Sequence, residues 1–276
     1  MTIDNWLTLI QQATVVAIIG FGLSFVIIAG SIDLSVGAVA GLAGMVTAGV
    51  GLSHGPLIGL LAGLAAGCTC GLFNGLLLAH LKIPSFIVTL GTLSIAGGIT
   101  LVYSHSQSKV APETLLSLGT QPGIYLVLAA AFLVAMVLFN FTTFGRYTRA
   151  IGGDERVAAL SGVPVRRMKV FIFVFGGLMS GLAGIVLSAR LGVADPQAGS
   201  GFELTAISAV VVGGIPLTGG IGNIWNTVIG AVLIQVLANG LVILGVTAEV
   251  QQIIQGAIII AAVLVALDRR KVGAIK

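Results

Sequence analysis

The chain has 276 residues, 57% apolar and only 8% charged, with a formal net charge of +4 at pH 7. Its mean hydropathy is +1.13. A soluble domain carries about 25% charged residues, so this composition excludes a water-soluble domain over most of the length and places the chain in a lipid bilayer. The 40 glycines and the 6% aromatic content fit helices packed closely through small residues. The basic residues sit between apolar runs, so the net charge is no sign of nucleic acid. No apolar run joins a basic start to an Ala-x-Ala site, so no cleaved leader is expected.

A spanning helix needs about 20 mainly apolar residues. By that measure nine segments follow in order. The first covers about 13–30 and the second about 34–52, beginning after Asp33. The third, Pro56 to about Leu81, carries Gly59, Gly63, Gly67, Gly71 and Gly75 at every fourth position. Such a ridge suits close helix packing, with a solute groove as the functional alternative. Cys68 and Cys70 lie in the same run, on different helix faces, and read as buried apolar thiols. The fourth segment covers about 84–103, a polar stretch runs from Ser104 to Pro122, and the fifth covers about 123–140. The sixth is about 170–189. The seventh, about 203–217, is short and interrupted by Gly213, Gly214 and Pro216. The eighth and ninth cover about 223–245 and 250–267.

Between the fifth and sixth segments lies the long polar island, Phe141 to Lys169. It holds six of the thirteen Lys and Arg residues: Arg146, Arg149, Arg156, Arg166, Arg167 and Lys169. Its centre, Gly152 to Gly162, predicts a short helix. Asp154 can cap it, Glu155 sits in its first turn, and Gly162 before Pro164 closes it. With this loop on the cytoplasmic side, nine alternating spans place Lys82, Arg269, Arg270, Lys271 and Lys276 there too, leaving only Lys109 and Arg190 outside. The positive-inside rule selects that orientation, with a cytoplasmic C-terminus. It also puts Met1–Gln12 outside.

A faint internal repeat is present. Ala29–Gly44 resembles Ala198–Gly214, matching Asp33 to Glu203, Leu34 to Leu204 and Ser35 to Thr205; farther on, Asn74-Gly75-Leu76 matches Asn239-Gly240-Leu241. Matched spans five apart are inverted in the membrane, a recurrent transporter design, and give repeats of about 13–103 and 170–267.

Asp33 and Glu203 each stand at the start of an apolar segment. They either cap helix starts or mark broken helices flanking a solute path. Ser35, Asn74, Thr89, Thr92, Thr205, Ser208, Gln235 and Asn239 are polar candidates for that path, and Phe86 offers an aromatic platform for a sugar face. Each also suits a hydrogen bond between helices. Enzyme signatures are missing: no Gly-x-x-x-x-Gly-Lys-Ser/Thr, no His-Glu-x-x-His and no Gly-x-Ser-x-Gly. His54, His80 and His105 lie near span ends and form no metal-ligand cluster.

Several stretches resemble the ribose-type sugar permeases of ABC importers. They are Ser31-Ile32-Asp33-Leu34-Ser35-Val36-Gly37, Ile83 to Gly91, Phe144 to Val163, and Ala198–Gly214 followed by Leu217 to Gly222. The resemblance runs from about Asn5 to Leu267. It implies an all-α integral membrane protein with inverted-repeat halves, serving as one of two permease subunits, identical or paralogous, in a bacterial inner membrane. A cytoplasmic ATP-binding subunit and a periplasmic sugar-binding protein are the implied partners, and the chain itself needs no cofactor. The family's coupling helix falls on Gly153–Gly162. There Asp154, Glu155 and Arg156 are expected to dock polar groups, and Val157, Ala158 and Leu160 to fill the ATPase groove, with Ser161 and Gly162 closing the helix. Family members carry a further N-terminal helix before the match to Asn5-Trp6-Leu7, which accounts for the outside placement of Met1–Gln12. A self-sufficient secondary transporter or facilitator is the alternative reading.

Overall fold

The computed structural model describes residues 3–266. Apart from one two-stranded pair and a 3-10 helix, the regular elements are α-helices: α1 (Ile3–Ile28), α2 (Val36–His54), α3 (Pro56–Leu81), α4 (Ser85–Ser104), β1 (Lys109–Val110), a 3-10 helix (Glu113–Leu118), α5 (Gly123–Phe141), α6 (Thr143–Gly153), α7 (Glu155–Leu160), α8 (Val165–Leu191), β2 (Val193–Ala194), α9 (Phe202–Val212), α10 (Ile224–Ile243) and α11 (Ala248–Ala266). Seven of them, α1–α5, α8 and α10, are long and apolar enough to cross a membrane. The shorter α9 and the apolar α11 occupy the two remaining expected places. Arg269, Arg270, Lys271 and Lys276 lie outside the described residues.

Two boundaries and one additional helix differ from expectation. α1 starts well before residue 13, because residues 5–12 mix polar and apolar side chains that are compatible with helix and Leu9 among them is buried. α9 ends at Val212 rather than 217. There Gly213 meets the Asn226 carbonyl and Gly214 adopts φ 100°, a left-handed conformation that favours glycine. The polar island contains a second helix, α6, whose buried residues Gly145, Thr148 and Ile151 lie on one face, with Arg146 exposed and the Arg149 guanidinium over the Phe139 ring.

α1 is the centre of the bundle. Ile18, Ile19, Phe21, Leu23 and Phe25 are fully buried, and α8, α10, α9 and α5 surround it. A helix apolar on all sides belongs in such a position. Glycine sets the spacing of the next layer. On α3, Gly59 and Gly63 meet α2 at Gly51, Thr47 and Ala43, whereas Gly67, Gly71 and Gly75 meet α8 at Gly177, Gly181, Phe173 and Val170. The every-fourth ridge thus turns from one neighbour to the other as it climbs. Gly177 and Gly181 on α8 answer it, while Gly184 lies against Ala40 of α2.

The bundle has two distinct ends. At one, Gly152 of α6 lies against the Ile28 carbonyl and the Gly220 amide, and Gly219 lies against Gly30. Lys82, Arg166 and Lys169 line a cleft at this basic end. At the other end β1 pairs antiparallel with β2, Lys109 opposite Ala194, and the 3-10 helix runs into Gly119, which abuts Arg190.

Candidate functional site

Two features hold the polar chemistry. The first is the island at the basic end. The Thr142 hydroxyl caps α6 by accepting from the Phe144 amide at 3.1 Å. One Asp154 carboxylate oxygen then caps α7, accepting from the Arg156 and Val157 amides at 2.8 and 3.0 Å. The helix closes with the Gly162 amide donating to the Ala159 carbonyl and the Val163 amide to the Ala158 carbonyl. Gly162 is left-handed, φ 84°, the usual conformation for such a stop.

The six-residue α7 has two faces. Ala158 is 4% exposed and packs with Ile151 and Met168, flanked by Phe144, Tyr147, Val163 and Val165. Leu160 is 89% exposed and Val157 57%. This corrects the expectation that Ala158 presents outward with them: it anchors the helix from beneath. Glu155 is also partly engaged, accepting from Lys169 Nζ at 2.6 Å across to α8. An ion pair this exposed contributes about 0–1 kcal/mol, so apolar packing under Ala158 is the firmer attachment. Gly153 has open space around it, whereas Gly152 is pressed against the Ile28 carbonyl.

The second feature is a pair of non-helical stretches, each ahead of a helix start. After α1 the chain runs unwound through residues 29–35 before α2 begins. Several of its polar groups are satisfied by neighbours, as non-helical backbone buried in protein requires. The Ile32 amide donates to Ser85 at 3.0 Å and the Leu34 amide to Thr89 at 3.1 Å. Asp33 accepts from both the amide and the hydroxyl of Ser35, at 2.8 and 2.6 Å. Asn74 Nδ2 donates to the Ser35 hydroxyl at 3.0 Å, and Thr92 donates to the Asn74 Oδ1. Asp33, Ser35, Asn74, Thr89 and Thr92 are all buried. Asn74 stands seven residues from the end of α3, about 10 Å at 1.5 Å per residue, so this knot lies well inside the bundle.

The other stretch is residues 192–201, between α8 and α9. It turns back into the bundle along α2. Gly199 abuts the Gly37 carbonyl and Gly41, and a Cβ on Gly37 would collide with the Glu203 carboxylate. Glu203 Oε1 accepts from the Gly201 amide at 3.2 Å. The starts of α2 and α9 therefore meet, with Asp33 and Glu203 close to the two helix starts.

The remaining path candidates disperse. Thr205 accepts from Gln255 Nε2 at 2.7 Å and lies beside Gln235 and Gln251 in a small cleft between α9, α10 and α11. The Ser208 hydroxyl donates to the Leu204 carbonyl within α9. The Asn239 amide nitrogen is buried without a hydrogen-bond partner and joins none of the others. Phe86 is 49% exposed at the basic-end cleft. Sequence reasoning missed Ser85, whose position at the first turn of α4 after Pro84 was the available signal. It also missed Gln251 and Gln255. Among the described residues no group of three His, Cys, Asp or Glu could hold a metal.

Comparison with known proteins agrees over almost the whole length. The family described as "Branched-chain amino acid transport system / permease component" matches residues 5–263. The ribose import permease protein RbsC of Bacillus subtilis (strain 168) is 41% identical, the alignment covering 97% of this chain and 85% of that protein. The D-allose transport system permease protein AlsC of Escherichia coli (strain K12) is 39% identical, covering 98% and 84%. The L-arabinose transport system permease protein AraH of the same organism is 39% identical, covering 91% and 78%. No solved structure gives a significant match. The chain belongs to this permease family and is a multi-pass membrane protein.

Proposed function

We propose that the chain is the membrane-spanning permease subunit of a bacterial ATP-driven importer for ribose or a similar monosaccharide. The sugar assignment rests on relatives named for ribose, allose and arabinose. ATP is bound and hydrolysed by a separate cytoplasmic subunit, a periplasmic binding protein delivers the sugar, and a second permease subunit completes the path. The polar island then faces the cytoplasm, as its arginines require by the positive-inside rule.

One observation carries the coupling assignment: α7 is fastened to the bundle through Ala158 while Leu160 projects outward, 89% exposed. A leucine exposed to that degree on a capped, glycine-flanked helix suits insertion into a groove of the ATPase. Gly153–Gly162 forms the handle. Val157 and Leu160 fill the groove, and Asp154, Arg156 and Ser161 line its rim. Closure of the ATPase dimer on ATP draws on this handle, and the handle moves the spans. The residues proposed for the path are those at the two non-helical stretches, Asp33, Ser35, Asn74, Thr89 and Glu203, with Phe86, Thr205 and Asn239 farther off. An unwound stretch precedes a helix start in each half, which supports reading 13–103 and 170–267 as inverted repeats.

The test is Leu160→Asp in the assembled importer. ATPase subunit copurifying with the variant is expected to fall sharply, and sugar uptake with it. Full assembly and uptake by the variant would sink the assignment of the handle.

A further inference from the structure

The cleft at the basic end has a volume of about 560 Å³ and lies where three spans end at one face of the bundle. α3 ends in its C-cap Lys82, α4 starts at Ser85 and α8 starts at Val165. Lys82, Arg166 and Lys169 all line the cleft, against the single carboxylate of Glu155. Glu155 takes one donor of Lys169 Nζ at 2.6 Å. An ammonium has three donors, so the others remain for a ligand. Among the described residues Lys82 and Arg166 pair with no carboxylate. The start of α4 adds to the positive field. Pro84 stands at its N-cap and no side chain caps it, so its first amides keep their partial positive charge. The remaining wall is apolar. Leu78, Ala79, Ile83 and Val165 line the same space. Leu81 and Ile87, one residue beyond lining positions, are 60% and 50% exposed.

We propose that this cleft binds a phosphate anion, carried by the headgroup of an anionic phospholipid in the leaflet that meets the basic end. The proposal needs only that the chain spans a bilayer and goes beyond the importer reading. The volume suits one headgroup, since ligand sites run to about 300–1,000 Å³. The depth suits it too, because the ends of membrane-crossing helices lie at the level of the lipid phosphates. Like charges gathered in one cleft repel each other, and a bound anion relieves that repulsion. Free inorganic phosphate would satisfy the cations and leave Leu78 and Ile83 wet. A lipid instead sets its phosphate on the cations and its glycerol and first methylenes on these side chains. Basic pockets between spans take anionic headgroups in this way. Val157 and Leu160, which the importer reading assigns to the ATPase groove, do not line the cleft, so a headgroup here leaves them free. Through Lys169 and its bond to Glu155, the headgroup joins the ends of α3 and α8 to the start of α7.

Equilibrium binding tests this on the full chain purified in an uncharged detergent, with radiolabelled phosphatidylglycerol as the probe. Saturable binding is expected, and none above background with phosphatidylcholine, whose own cation offsets its phosphate. Lys82 and Arg166 are exposed, so their replacement leaves the fold intact. Lys82 has a left-handed φ of 55°, a conformation that asparagine tolerates. Arg166→Gln and Lys82→Asn are each expected to weaken binding about fivefold, the worth of one cation beside an anionic lipid. Arg167→Gln removes the same charge one residue away, outside the cleft, and is expected to weaken it less than about twofold, being screened by water and salt. Inorganic phosphate is then added as a competitor and is expected to leave the lipid bound. Displacement at equal concentration would overturn the lipid as the source and assign the cleft to free phosphate. Phosphatidylcholine binding as well as phosphatidylglycerol, or Arg167→Gln weakening binding as much as Arg166→Gln, would overturn the site itself. Sugar uptake has no part in the readout, so this result and the importer reading stand or fall separately.

Discussion

The Phe144 ring of α6 stacks on the Phe25 ring of α1, with centroids 5.1 Å apart and planes inclined by 27°. Phe25 also meets Phe139 of α5 and Phe175 of α8 edge-on, at 5.5 and 4.9 Å. One side chain from the polar island thereby touches the most buried helix of the bundle. A displacement of α6 reaches α1, α5 and α8 through this cluster, since packed cores do not deform continuously.

Replacing Phe144 with Ala removes that contact. Aromatic pairs contribute about 0.5–1.5 kcal/mol beyond area burial, so the island should loosen without the bundle unfolding. The expected result is an importer that still assembles and hydrolyses ATP while sugar uptake falls. Uptake at the original rate would show that the cluster transmits nothing.

The cap of α7 makes a second prediction. Asp154→Ala leaves the Arg156 and Val157 amides without their acceptor and should destabilise the helix by about 1 kcal/mol. Asp154→Asn retains an acceptor and should behave nearly as the original. Copurification of the ATPase subunit reads the difference; equal recovery with both variants would contradict a role for the preformed helix.

The two faces of α7 should separate in stability measurements. Ala158→Asp buries a carboxylate against Ile151 and Met168, so a loss of about 3 kcal/mol or more is expected from an unpaired charge there. Leu160→Asp places the same group in water and should leave the melting temperature of the isolated subunit unchanged. Equal losses would mean that α7 is not fastened as described.

How much of this was legible in the chain differs from feature to feature. The spans were, because lipid demands long apolar runs: Pro56 and Leu81 bound α3 as composition predicts. The α7 cap was legible as well, since Asp154, Gly162 and Pro164 are local signals that need no tertiary partner. The inward turn of Ala158 was not, because a one-and-a-half-turn helix has too few residues to display a periodic face. Helix α6 was hidden by its arginines, whose charge masked the spacing of Phe144, Thr148 and Ile151. The knot joins Ser35, Asn74 and Thr92 across three elements; sequence names such residues as polar and cannot say which of them meet.

The glycine ridge yields a stability contrast. A Cβ on Gly67 would lie 3.0 Å from the Gly181 Cα and closer still to the Gly177 carbonyl. Both are backbone, so Gly67→Ala must push α3 from α8, with an expected cost of about 1–3 kcal/mol. Gly98→Ala meets nothing within 4 Å and should be silent. Melting temperatures in detergent read both, and a silent Gly67→Ala would contradict the packing described.

The central claim is that this chain moves sugar only when a separate ATPase drives it through α7. The direct measurement is uptake of labelled ribose into proteoliposomes holding the permease, with the ATPase subunit and loaded binding protein added in turn. The account predicts accumulation against a gradient only when both partners and ATP are present, and its loss with Leu160→Asp. Equilibration of ribose by the permease alone, unaffected by ATP, would contradict it and establish a self-sufficient facilitator.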